Sequence, residues 1–203
     1  MIMKQFVLIA ALLAGLSSAS AQERLSREEA LKFAFIVSLD LKQLQGTPIP
    51  SDPDIKRPVV FRDGDYGCLL LPETKLTAEV LGKAGKEPLL IGQLWLRKLA
   101  PMLEGKPVDV ARLRMAKVKN EEGSATVPQC ALAVRRDGGG NLELLVFGKD
   151  MEPVLRAPIK AVTGSKEYPI DMSAEKKDDG GLITLNILGK YETSFMVTDP
   201  ERF

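Results

Sequence analysis

The sequence predicts an α+β fold that is mainly β: an antiparallel β-sandwich or barrel-like sheet with one or two N-terminal helices packed on it. Three observations predict it. From Pro88 to the C-terminus, apolar runs of strand length alternate with Gly-, Asn- and Asp-rich turns. Consecutive strands with short turns pair antiparallel, because parallel pairing needs a long crossover. Ahead of them stands one helix with signals at both ends, followed by a Pro-rich connector that belongs to neither regular structure.

Residues 1–21 read as a cleaved secretory signal peptide. Lys4 supplies the positive start, Phe6–Leu16 is an uncharged apolar run, and Ala19-Ser20-Ala21 before Gln22 matches the small-x-small cleavage pattern. The apolar run is 11 residues, well short of the ~20 that span a bilayer, and no other uncharged run approaches that length, so no transmembrane segment is expected. The predicted destination is the periplasm or the extracellular space.

Residues 22–57 hold the helix and the connector. Ser26 with Glu29 forms a capping box, and Glu28 and Glu29 place two acids in the first turn. Ala30, Ala34, Val37, Leu41 and Leu44 recur at helical spacing, and Gly46 closes the segment, so the helix is predicted over 26–45. Phe33, Phe35, Val37, Leu39 and Leu41 also alternate as a strand would; the caps and the length decide for helix. The connector, 46–58, carries Pro48, Pro50, Pro53 and Pro58.

Residues 58–203 make the β-rich part, and 22–203 is expected to fold as one unit. A first hairpin runs from Val59 through the Arg62-Asp63-Gly64-Asp65 turn to Leu71. A short helix is predicted at 74–84, with Thr74 as cap and Gly85 as stop. Strands follow at 89–99, 110–118, 125–136, 142–147, 154–162, 167–173, 182–188 and 191–197. Gly148-Lys149 and Gly189-Lys190 lie 41 positions apart, as do Gly140 and Gly181. The spacing fits either a degenerate duplication or the ordinary placement of glycine at turns.

In an exported chain, Cys68 and Cys130, 62 positions apart and free of any metal or haem motif, are predicted to form a disulfide. Closing that loop is worth ~4 kcal/mol in the chain-entropy model.

Composition excludes several functions. Among 203 residues there is no histidine, which removes Ser-His-Asp and Cys-His nucleophiles and His-ligated zinc and haem. The 28 basic residues against 27 acidic ones give no general attraction to nucleic acid. At 45% hydrophobic, the chain is too apolar to be disordered.

Each remaining constellation has an ordinary structural explanation. Asp52, Asp54, Asp63 and Asp65 offer oxygens that Ca²⁺ prefers, but their spacing is not that of an EF-hand, and Asp is a common turn residue. Asp178-Asp179 is weaker still. Ser165-Lys166 are sequence neighbours and point to opposite sides of an extended segment, which is poor geometry for a shared proton. Gly138–Gly140 lies between strands, not at the strand-to-helix junction a phosphate loop needs. Arg112, Arg114, Lys117 and Lys119, with Arg97-Lys98 and Arg135-Arg136 as neighbours, suggest a basic sheet face for an acidic polysaccharide, or simply the wet side of a sheet. Trp95 is expected in the core.

No catalytic, cofactor-binding or metal-binding residue is therefore assigned, and no cofactor is expected. The functional expectation is an exported, non-enzymatic binding or structural module of the periplasm or cell surface, with a protein or polysaccharide as the partner class. One alternative is a hydrolase acting through paired carboxylates on an extracellular polymer. The other is an envelope accessory factor that accepts a partner strand at a sheet edge.

Overall fold

A computed structural model describes residues 22–120, 123–164, 168–178 and 180–202. The fold is mostly antiparallel β, with 52% strand and 15% helix, arranged in two sheets with three α-helices among the described residues.

The described residues open with β1 (Glu23–Arg24), α1 (Arg27–Ser38) and α2 (Leu41–Gln45). Then come the hairpin β2 (Val59–Asp63) and β3 (Tyr66–Pro72), α3 (Ala78–Gly82), β4 (Leu89–Arg97), β5 (Ala100–Leu103) and β6 (Lys106–Pro107). A 3-10 turn at Val110–Arg112 precedes β7 (Arg114–Asn120), β8 (Gly123–Arg136), β9 (Leu142–Phe147), β10 (Pro153–Pro158) and β11 (Lys160–Ala161). Then come β12 (Ile170–Lys177), β13 (Gly180–Ile187) and β14 (Tyr191–Thr198), followed by a 3-10 turn at Pro200–Arg202. The first sheet runs β1-β2-β3-β4-β8-β9-β10, with β7 also on β8. The second runs β12-β13-β14-β5-β6, with β11 on β14.

One buried cluster draws on both sheets. Leu70, Leu94, Leu132 and Val146 from the first meet Ile170, Ile183, Leu185 and Phe195 from the second. The first sheet is covered on its other side too. Val60, Leu69, Leu71 and Trp95 pack beneath Ala30, Ala34 and Val37 of α1, where the two alanines let the helix approach closely. Ile49 of the connector packs on the patch of Ala131, Ala133, Leu145 and Phe147. Burial on both faces explains why Leu69-Leu70-Leu71 and Cys130–Val134 read as continuous apolar runs and not as alternation.

Several boundaries differ from expectation, each for a visible reason. The capping box forms, with Ser26 Oγ and Glu29 engaged reciprocally, but the helix ends at Ser38. Asp40 then leaves helical φ/ψ and caps a second helix by accepting from Gln43 N, so the expected single helix is two. The helix expected at 74–84 spans only Ala78–Gly82 and is capped by Thr77. Residues 73 and 74 are tied to the connector instead: Thr74 N donates to Asp52 O, and the Glu73 carboxylate accepts from Ser51 Oγ (2.6 Å) and Asp52 N (2.8 Å). The strand expected at 89–99 stops at Arg97, where Lys98 at φ 54° turns the chain toward the second sheet. The strand expected at 154–162 divides at Ile159, with β10 in the first sheet and β11 in the second.

The predicted disulfide is not formed. Cys68 and Cys130 are both free and buried. Cys68 pairs with Leu96 and Cys130 with Leu94, so β4 lies between them. Two strand spacings alone separate their backbones by ~9.6 Å, and the two-residue offset along β4 adds to it, well beyond the ~7 Å limit for a bridge. Burial pushes both thiols up to about 12, which leaves almost no reactive thiolate at neutral pH. The native protein is expected to leave a thiol-titrating reagent unreacted, and the unfolded, unreduced protein to release two thiols. Release of none would restore the bridge.

The 41-residue recurrence is one of meanders only. β8-β9-β10 lies in one sheet and β12-β13-β14 in the other. Gly140 and Gly189 occupy left-handed turn positions at φ 83° and 65°. Their sequence counterparts do something else: Gly181 sits within β13, and Gly148 lies against the carbonyl of Arg112.

Candidate functional site

Two concavities open on either side of the β2–β3 hairpin tip, and Phe61, Arg62, Tyr66, Gly67 and Cys68 belong to the walls of both. Gly64, at φ 57°, makes the tight turn that places this wall.

The larger, about 490 Å³, lies at the hairpin's inner side, where the β12–β13 end of the second sheet approaches it. Its charged lining is Arg62, Asp63, Lys176, Lys177, Asp178 and Asp199. Four of these groups are engaged: Lys176 lies 3.9 Å from Asp63, Tyr66 Oη donates to Asp199 at 2.8 Å, and Lys177 pairs with Glu175 at 2.5 Å. Gln22 also lines this space, with its buried Oε1 unpartnered among the described residues.

The smaller, about 310 Å³, is an apolar groove between α1 and the outer face of the first sheet. Register builds its floor. Val60 pairs with Leu69 and Leu69 with Trp95, so these three form one apolar row across β2, β3 and β4. Phe33, Ile36 and Val37 of α1 form one wall, and Val118 and Val127 of β7 and β8 the other. The next row along the same strands is Arg62, Gly67 and Arg97, again directly paired. Phe33 is 37% exposed, and along the outer side of α1 Leu31, Phe35 and Leu39 are exposed as well.

Beneath α2, deeper on the same sheet face, lies a polar network that sequence reasoning did not single out. The Gln93 side chain is fully buried and uses its whole hydrogen-bonding capacity. Its Nε2 donates to Leu44 O and to Ser51 Oγ (2.7 Å), while its Oε1 accepts from Trp95 Nε1 (3.3 Å) and Gln129 Nε2 (2.8 Å). Arg114 donates to Gln129 Oε1 and Gln43 O. The saturation of Gln93 marks it as a structural tie between helix, connector and sheet. The nearby Glu73 carboxyl is pushed up by burial, but it is held by Ser51 and Asp52 and lines neither concavity.

The sequence candidates do not converge. Asp54 pairs with Arg57, Asp65 with Lys98 and Arg97, and Asp63 with Lys176. Among the described residues no three acids or thiols gather as metal ligands. The suggested basic face is not assembled. Arg112 lies in the 3-10 turn, Arg114 points under α2, Lys117 and Lys119 fall on the other parity of β7, and Arg135 is bound to Glu143 at 2.6 Å. Gly138–Gly140 is a hairpin turn whose Gly139 and Asn141 N–H groups both donate to Asp137. Trp95 is buried as expected. Ser165, Lys166 and Asp179 lie outside the described residues, as does the segment read as a signal peptide.

No helix among the described residues is long and apolar enough to cross a membrane. Neither a protein-family model, nor a curated protein, nor a solved structure matches the chain.

Proposed function

We propose that the protein is an exported, non-enzymatic binding module, with its two sheets packed as a β-sandwich and its ligand held in the groove under α1. The observation that carries the reading is the groove itself: a concave, largely apolar surface floored by Trp95, with Arg62 and Arg97 in its lining. The N-terminal export pattern supports the location. The shared core of the two sheets supports the sandwich.

The two alternatives draw less support. Paired-carboxylate chemistry needs acids aimed at a common point, and of the three aspartates lining the larger cleft Asp63 is engaged by Lys176 and Asp199 by Tyr66. Strand addition needs an open edge. β10 is bracketed by Pro153 and Pro158, and the Gln43 amide occupies both main-chain groups of Lys117 on β7; β12 is the long open edge of the second sheet, and the charged Glu175, Lys176 and Lys177 at its end disfavour pairing there.

The chain has one tryptophan, and it floors the groove, so its emission reports occupancy directly. Titration with the neutral dye N-phenyl-1-naphthylamine is expected to quench Trp95 saturably. Phe33→Glu, which places a charge on the groove wall at a partly exposed position, is expected to weaken binding about tenfold or more. No saturable quenching, or an affinity that Phe33→Glu leaves unchanged, overturns the reading.

A further inference from the structure

We propose that the groove takes a long-chain carboxylate, a single-chain amphiphile whose anionic head is held between Arg62 and Arg97. The inference rests on the groove being the ligand site and adds the chemical class of the ligand.

Two adjacent rows of one sheet face differ sharply in character. Val60, Leu69 and Trp95 form the apolar row, and Arg62, Gly67 and Arg97 the row beside it. Side chains two apart on a strand share a face, so both arginines extend from the same side as the apolar floor. Their backbones are two strand spacings apart, ~9.6 Å. The residue between them has no side chain. A Cβ at Gly67 would meet only the Phe61 carbonyl, at 3.2 Å, so the gap is open above the sheet. Two guanidinium groups flanking an empty position suit a carboxylate, which each can hold by paired N–H donors.

Three acids neighbour these arginines: Asp65 and Glu29, each shared with another group, and Glu23, exposed on β1 directly opposite Arg62. Asp65 lies 3.7 Å from Arg97 but takes Lys98 at 2.7 Å. Glu29, which faces Arg62, is held by Ser26 Oγ at 2.6 Å and Ser26 N at 3.1 Å. An incoming carboxylate therefore competes with Glu23 at Arg62 and with the 3.7 Å contact of Asp65 at Arg97, and gains by drawing on both guanidinium groups at once. Volume limits the tail. At about 310 Å³ the groove stands at the small end of ligand pockets, ~300–1,000 Å³, and fits one acyl chain better than two. The walls that this tail would touch, Phe33, Ile36, Val118 and Val127, carry no charge.

The test compares dodecanoate, dodecanol and dodecyltrimethylammonium, each below its micelle-forming concentration, by Trp95 emission and by displacement of N-phenyl-1-naphthylamine. Dodecanoate is expected to bind tightest and the ammonium weakest. Arg62→Ala and Arg97→Ala, both at exposed positions, are each expected to weaken dodecanoate about tenfold and leave dodecanol unchanged. Equal or tighter binding of dodecanol, or equal losses for both ligands, overturns the carboxylate assignment while the groove reading stands. Failure of the neutral dye to bind removes both. Trp95 emission that changes with protein concentration alone, tracking self-association in sedimentation, assigns the groove to a second copy and overturns the proposal.

Discussion

Replacing Gln93 with leucine is expected to destabilise the protein by about 3 kcal/mol or more, although leucine is close in size and belongs in the apolar run around it. Gln93 is 0% exposed, and its amide holds four partners at once. Removing it leaves the Leu44 carbonyl, the Trp95 indole N–H and the Gln129 amide N–H without that partner in a buried setting. Each orphaned group costs ~1–3 kcal/mol. Ser51 suffers least, because its hydroxyl also donates to Glu73. The loss should appear as a lower urea midpoint at an unchanged slope. A shift below about 1 kcal/mol would mean that water replaces the amide and that α2 is not tied through it.

The second large effect is expected at a glycine. Gly148→Ala should cost about 3 kcal/mol, since the added Cβ would lie 2.1 Å from the Arg112 carbonyl oxygen and 3.2 Å from Leu113 Cα. The obstacle is backbone and cannot swing aside. Lys149 N donates to that same Arg112 oxygen at 3.0 Å, and Asp109 caps the 3-10 turn, so the turn is fastened where the methyl would go. Gly138→Ala is the control, with nothing within 4 Å of its Cβ and no left-handed φ. It should be neutral or slightly stabilising through loss of unfolded-chain freedom. Thermal unfolding of the pair separates them; equal midpoints would show that the 110–113 segment yields.

What the sequence reveals here is mostly local. Ser26 and Glu29 form their box because both partners lie within one helical turn, and the β2–β3 hairpin follows from Gly64 between two apolar runs. The meanders after Cys130 are legible for the same reason: each strand pairs with the next across a short turn. Non-local features are hidden. β5 leaves for the second sheet through a left-handed Lys98, which no propensity favours, and it pairs with β14 almost a hundred positions later. The disulfide expectation failed on the same ground, because spacing along the chain says nothing of the strand that intervenes.

The candidate site was hidden more deeply. Arg62, Gly67 and Arg97 become neighbours only through two registers, so no window of sequence contains them. Gln93 and Gln129 left a faint trace, each a lone amide inside a run otherwise apolar. That is the pattern of a buried polar group that has found partners. Reading it requires knowing that both faces of the strand are covered.

The position of β8 sets the order in which the first sheet can form. β4 pairs with β3 on one side and with β8 on the other. When Arg97 has been made, β4 has its first partner, but the second begins at Gly123, after β5, β6 and β7 have been laid down. Until then an almost wholly apolar strand stands as an unpaired edge, which is the kind of surface that recruits other chains. Nascent chains ending between Arg97 and Arg136 are thus the aggregation-prone ones, and β8 is the piece that closes the sheet against them.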